Sequence, residues 1–252
     1  MVSPAVQLAA FSTVIVVGTI AGAAIPMWTR SSVRLIGFLA FAAGVMFGAA
    51  FFHMLPEAYH GGGYTAFSFV PAGFLFLFLL ERYVLVHVCE EPPECQEHSH
   101  NPARGLSAFL GLSIHTLFDG IALGSAIAGG VGFTVFIAVT AHKIPSSLSL
   151  AAILKMEGKP ARTILGYATV FGLMVPAGAL IYFALQSGIR TETFAPLALA
   201  FSAGSFLYIA VSDLLPNVSR HGRENRFRHV FALLAGMGVM FALQFVLPDH
   251  GH

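Results

Sequence analysis

Long apolar runs separated by short polar stretches set the pattern of this chain. Runs long enough to cross a bilayer fall at roughly 5–27, 35–55, 66–88, 105–127, 132–153, 163–186, 194–216 and 229–247, since a spanning helix needs about 20 apolar residues. A transmembrane β-barrel would show short segments of alternating hydrophobicity instead. The pattern predicts an all-α polytopic membrane protein with eight transmembrane helices in one domain over 1–252. Helices 1–3 lie at about 5–88, a loop at 89–104, helices 4–5 at about 105–153 and helices 6–8 at about 163–247. The first run has no basic n-region and no small-residue cleavage site, so it reads as a retained helix.

Composition agrees with that reading. Hydrophobic residues make up 56% of the chain and charged residues 10%, against about a quarter charged in soluble domains, and the mean hydropathy is +0.78. A formal net charge of +1 excludes a strongly basic nucleic-acid binder, and two cysteines exclude a disulfide scaffold. The basic residues alternate between loops: Arg30 and Arg34, then Arg82 and Arg104, then Lys155, Lys159 and Arg162, then Arg220, Arg223, Arg226 and Arg228. The opposite loops contribute Arg190 alone, and Lys143 falls inside a span. An excess of Lys and Arg marks the cytoplasmic side, so both termini are expected outside, and the membrane is expected to be the plasma membrane.

Residues 41–58 (FAAGVMFGAAFFHMLPEA) and 201–218 (FSAGSFLYIAVSDLLPNV) align without a gap at an offset of 160 (201 − 41). Phe41, Ala43, Gly44, Ala50, Leu55 and Pro56 recur as Phe201, Ala203, Gly204, Ala210, Leu215 and Pro216. The copies lie on helices 2 and 7, an odd number of steps apart, so they cross in opposite directions. That predicts a 3+2+3 inverted-repeat arrangement, with a binding site near the midplane on helices 4 and 5 between the halves.

Helix 4 reads SIHTLFDGIALG and helix 5 reads AHKIPSSLSL. His115 and Asp119, four residues apart, share one helix face; His142, Ser146 and Ser149 form a matching polar stripe. His115 and His142 each lie about ten residues into their spans, so their depths coincide near the bilayer centre, where ionisable groups mark ion pathways or relays. Two imidazoles and a carboxylate suit a borderline divalent metal such as zinc, with Ser146 or water completing the shell. Pro145 cannot donate to the carbonyl of Ala141, which leaves a bare oxygen beside His142. Lys143 lies about 100° round the helix from His142. It is open to two readings: a partner for a carboxylate such as Asp119 or Asp213, or a fixed charge standing where a second cation would bind.

His53 and Glu57 at the outer end of helix 2, and Asp213 near the inner end of helix 7, are the expected entry and exit relays. In the loop CEEPPECQEHSHN, Cys89, Cys95, His98 and His100 do not have the spacing of a closed zinc site; the loop is expected to capture metal weakly. Asp249, His250 and His252 form an outer tail that would gather cations. The Phe-rich face of helix 3 (Phe74, Phe76, Phe78) is open to two uses, contact with the lipid bilayer or a homodimer contact.

At SIHTLFDGIALG and AHKIPSSLSL the sequence resembles the ZIP (Zrt-, Irt-like) family of divalent-metal transporters. HMLPEA in helix 2, MVPAG in helix 6 and FLYIAVSDLLP in helix 7 add to the match, which covers nearly the whole chain. The resemblance implies passage of zinc, and in some members iron, manganese or cadmium, towards the cytoplasm. It places His115, Asp119 and His142 at metal-ligand positions. It also implies that helices 1, 4, 5 and 6 move against helices 2, 3, 7 and 8. Three positions depart from the pattern of many members: Thr116 replaces an Asn, Lys143 an acidic residue and Ser146 a glutamate. The departures imply a mononuclear rather than a binuclear centre.

The expected function is transport of divalent metal ions, zinc first, with zinc as cargo, no catalytic cofactor and no enzymatic activity. Ligation needs neutral imidazole, so transport is expected to fall below about pH 6. No G-x-x-x-x-G-K-[ST] is present to bind ATP. Two rivals use the same residues. An intramembrane zinc hydrolase would take His115, Asp119 and His142 as ligands with a metal-bound water, although no H-E-x-x-H occurs. A haem protein would take His115 and His142 as axial ligands.

Overall fold

The computed structural model describes residues 3–29, 31–85, 103–186, 191–221 and 226–245. Every regular element among them is helical, and they assemble into eight rods. The first, α1 (Pro4–Met27), starts with Pro4 in its first turn and Ser3 as N-cap, whose hydroxyl accepts from the Val6 amide. The second, α2, runs over Ser32–Ala49, passes through a π-turn at Ala50–Met54 and continues as Leu55–Phe67. Gly63 breaks that last stretch with φ 57 and ψ −147, a conformation that only glycine adopts cheaply, and the chain there turns into α3 (Phe69–Leu79, then a π-turn at Leu80–Leu85). The others are α4 (Ala103–Ala128), α5 (Gly132–Met156) and α6 (Ala161–Leu185). Last come α7 (Thr191–Tyr208, a π-turn at Ile209–Leu214, then Leu215–His221) and α8 (Arg226–Leu243).

Among the described residues, six stretches are long and apolar enough to cross a membrane: α1, the rod Ser32–Phe67, α4 from Gly105, α5, α6 and α8. The remaining two rods have shorter apolar stretches among the described residues. In α3 the α-helical part is 11 residues long, and in α7 the apolar part is Pro196–Ser212. The chain is a multi-pass membrane protein. The first of the two runs read as separate spans at 35–55 and 66–88 extends further than its hydropathy suggests, because the helix carries on through the polar residues Glu57, Tyr59 and His60 before Gly63 turns it.

The prolines account for two of the π-turns. Pro56 and Pro216 have no N–H to give to the carbonyl four residues back. In both places the preceding leucine instead bonds five residues back, Leu55 to Ala50 and Leu215 to Ala210. These are matching positions of the two repeat copies, and they place His53 and Asp213 inside equivalent π-turns.

Packing is closest where glycines let backbones touch. A Cβ on Gly44 of α2 would collide with the Leu233 backbone of α8, and one on Gly236 of α8 with the backbone of Phe41. Likewise a Cβ on Gly204 of α7 would collide with the Val70 backbone of α3, and one on Gly73 of α3 with Phe201. Phe41 and Phe201 are matching repeat positions, so the pairs α2–α8 and α7–α3 are built alike. A second set of pairs encloses the middle helices. Gly120 of α4 and Gly178 of α6 face each other's backbones, and Gly22 of α1 lies against Ile144 and Ser147 of α5. The core is divided too. One cluster (Leu8, Ile15, Leu123, Ile127, Phe136, Val139, Val175, Ala179) joins α1, α4, α5 and α6. A larger one includes Leu39, Met46, Leu112, Leu150, Phe171, Phe206 and Ile209.

Candidate metal centre

Helices α4 and α5 bring His115, Asp119 and His142 together, all buried, with one ligand atom from each lying within 4.8 Å of the others. One oxygen does most of the joining: Asp119 Oδ2 is 3.1 Å from His115 Nε2 and 3.2 Å from His142 Nε2. Donors about 2.0–2.1 Å from a zinc ion stand about 3.3 Å apart in a tetrahedron, so two edges of such a shell already have nearly the right length. His115 Nε2 is buried with no hydrogen-bond partner in spite of its closeness to Asp119. A buried polar atom left so is rare, and a metal ion is what its lone pair would meet. The His–Asp–His chemistry fits a borderline divalent cation.

Neighbouring residues shape the cluster. The His115 and His142 rings have centroids 5.7 Å apart. Phe206 of α7 lies against both, 3.6 Å from the His115 ring centroid and edge-on to His142 at 5.6 Å. Ser202, one turn earlier on α7, contacts His115 Nδ1 through its hydroxyl. Neither α7 residue stands out in the sequence as part of the site. The one available signal is that Ser202 and Phe206 fall where the other repeat copy has Ala42 and Met46.

Ser146 is buried beside His142, and its hydroxyl donates to the His142 carbonyl at 2.7 Å. Ser149 donates in turn to the Ser146 carbonyl at 2.7 Å. Lys143 has Asp119 within the described residues as an expected partner, whereas the side chain of Asp213 lies outside them. Lys143 is 1% exposed and has no ion-pair contact with Asp119 or any other described carboxylate. Its ammonium donates to Thr116 Oγ1 of α4 and stands 3.4 Å from the Phe171 ring centroid of α6, because the rotation from His142 turns it towards α6.

Among the described residues, neither His53 nor Glu57 belongs to the group that converges at the cluster. His53 is in the α2 π-turn, with Nε2 2.8 Å from the Met240 carbonyl of α8. Glu57, one turn further on, is exposed. Asp213 lies in the α7 π-turn, and its side chain is outside the described residues, as are the 89–101 loop and the tail carrying Asp249, His250 and His252. On helix 3, Phe76 and Phe78 are exposed, while Phe74 packs edge-on against Tyr208 at 5.2 Å. The haem reading fails on geometry: Asp119 Oδ2 stands against both Nε2 atoms, where an iron porphyrin would have to fit.

Comparison with known proteins adds an independent line. A family model described as ZIP Zinc transporter matches residues 4–108 and 101–244. The chain is 31% identical over 161 residues to Zinc transporter ZIP9 of Micropogonias undulatus, covering 61% of this chain and 51% of that protein. It is 32% identical over 152 residues to Zinc transporter ZIP1 of Takifugu rubripes, covering 59% and 49%. To Zinc transporter foi of Drosophila melanogaster it is 30% identical over 153 residues, covering 57% and 21%. The matched part is thus about half the length of the first two relatives. These comparisons give no support to the hydrolase. With matches along nearly all of its apolar helices, the chain belongs to the ZIP zinc transporter family.

Proposed function

We propose that this protein carries divalent transition-metal ions, zinc first, across the membrane towards the cytoplasm. The observation that carries the reading is the convergence of His115, Asp119 and His142 on one buried point between α4 and α5. Three relatives bearing the name zinc transporter point the same way. Iron, manganese and cadmium are the further candidates as cargo. Ser146 or water completes the shell around a single ion, and Lys143, tethered beside the cluster, keeps a second cation out.

The path runs from His53 and Glu57 on the outer side, through the cluster, past Asp213 to the cytoplasm. Inward movement of a divalent cation is favoured by a negative interior at about 2.3 kcal/mol per charge per 100 mV. The matched glycine pairs and matched π-turns support a 3+2+3 inverted repeat. The distribution of Lys and Arg supports outside termini, and a plasma-membrane location goes with uptake. No catalytic role is assigned.

The test is initial zinc entry into proteoliposomes loaded with a fluorescent chelator. Saturable entry that His115→Ala and Asp119→Ala both abolish is the expected result. Entry no faster than in empty liposomes, from folded protein, would overturn the proposal.

A further inference from the structure

The metal-ligand residues come from α4 and α5, yet the ring of His115 is held from a third helix. Ser202 on α7 is 1% exposed, and its hydroxyl meets His115 Nδ1. Phe206, one turn along the same helix and fully buried, packs against the flat of the same ring at 3.6 Å between centroids. The imidazole is thereby gripped at its edge and on its face by two side chains of one helix.

The choice of tautomer follows. A neutral imidazole ligates through the nitrogen that carries no proton, and the hydrogen bond made by the other nitrogen decides which one that is. Here Nε2 points into the cluster, 3.1 Å from Asp119 Oδ2, but makes no hydrogen bond. Ligation through Nε2, the nitrogen that faces the cluster, requires that nitrogen to be free of its proton. The proton then sits on Nδ1, where the Ser202 oxygen is placed to accept it. His142 differs: its Nε2 hydrogen-bonds Asp119 at 3.2 Å.

We infer that Ser202 is a positioning residue of the metal site, fixing His115 in the tautomer and orientation that bind the cation. The inference deepens the transport reading and rests on it. Loss of a partner of this kind lowers metal affinity by about 10–100-fold. Serine suits the position because its hydroxyl accepts without bringing a charge into an apolar, membrane-buried site. Ala42, its counterpart in the other repeat copy, could not serve.

The experiment uses the full chain in lipid nanodiscs, with zinc affinity measured by competition against a chelating dye. Ser202→Ala should weaken binding about tenfold or more, Ser202→Thr should stay close to native, and His115→Ala should remove the site. Nitrogen NMR of histidine-labelled protein supplies a readout that packing alone would not move. The signal of a Nδ1-protonated imidazole, assigned by its absence in His115→Ala, should disappear or shift to the other tautomer in Ser202→Ala. Native affinity and an unchanged tautomer in Ser202→Ala would overturn the inference while leaving the site intact. Equal weakening by Ala and Thr with an unchanged tautomer would reduce Ser202 to packing and overturn it too. Native zinc binding by His115→Ala would instead overturn the metal-centre reading itself. Should Ser202→Ala not fold, Ser202→Cys takes its place. It keeps the size and weakens the acceptor, so native zinc affinity in that variant would refute the positioning role.

Discussion

Thr116 on α4 accepts a hydrogen bond from the Lys143 ammonium on α5, and each of the two stands next in the chain to a histidine of the site. Both positions depart from the pattern of many ZIP proteins, and the structure makes the departures a pair. Neighbouring helix residues point about 100° apart, so the Thr116–Lys143 contact lies beside the His/Asp/His cluster. Leaving a buried donor without its hydrogen-bond partner costs about 1–3 kcal/mol. Thr116→Val should therefore destabilise the protein by about 2 kcal/mol. In a Lys143→Met background the same change should cost much less. Thermal unfolding of the four proteins of that double-mutant cycle, in one detergent, measures the coupling. An additive cycle would mean that the contact contributes nothing.

Asp119 binds the cluster together through one oxygen shared between two imidazoles. Asp119→Asn keeps the shape and removes the anion, which is the only negative charge among the three donors. Zinc binding should fall by more than about tenfold and zinc entry into liposomes should drop to background, while the empty protein stays folded. Dye competition and uptake on the same preparation decide it, and near-native uptake by the variant would remove Asp119 from the path.

The centre was legible in the sequence to the extent that its residues sit close together along the chain or at equal depth. His115 and Asp119 share a face by spacing alone, and His142 joins them because two helices linked by a short turn must bring residues of equal depth to the same level. Ser202 is 87 residues from His115, and nothing local in FSAGSF says which side of α7 faces α4. The partner of Lys143 was hidden for a related reason. A carboxylate is the natural guess for a buried amine, whereas a threonine hydroxyl and a phenylalanine face leave no mark in the sequence. The recurring Leu-Pro did mark the π-turns, through the missing proline N–H. The length of α2 was not visible in hydropathy, since helix continues through polar residues until Gly63.

The glycine contacts predict unequal effects for one and the same substitution. In an open helix position Gly→Ala stabilises by about 1 kcal/mol, and Gly37 and Gly166 have nothing within 4 Å of an added Cβ. At Gly44 and Gly204 the new methyl meets the backbones of Leu233 and Val70, which cannot swing aside as a side chain would. Gly44→Ala and Gly204→Ala should each destabilise by about 1–3 kcal/mol, and by similar amounts because they hold matching positions. Gly37→Ala and Gly166→Ala should be neutral or better. Melting temperatures of the four variants test this, and no difference between the two classes would mean that α2–α8 and α3–α7 are packed less closely than described.

The last turn of α5 ties two other helices down at their ends. Lys155 Nζ donates to the carbonyls of Pro26, Met27 and Thr29, at 2.7, 2.8 and 2.6 Å, where α1 ends. The final carbonyls of a helix have no partners within it, and a cation there also meets the negative end of the helix dipole. Two residues later Glu157 Oε1 accepts from the Gly105 amide at 2.6 Å, in the first turn of α4. The opposite charges serve opposite helix ends, as the dipole requires. Lys155→Met keeps most of the apolar stem and removes the donor, so it should lower stability by about 2 kcal/mol. Faster amide exchange should be confined to the end of α1 and the turn after it. Lys155→Arg should restore part of the loss. Zinc affinity should stay native, because Lys155 is more than three helical turns from His142. Unchanged exchange at the end of α1 in Lys155→Met would show that its free carbonyls are satisfied without the lysine.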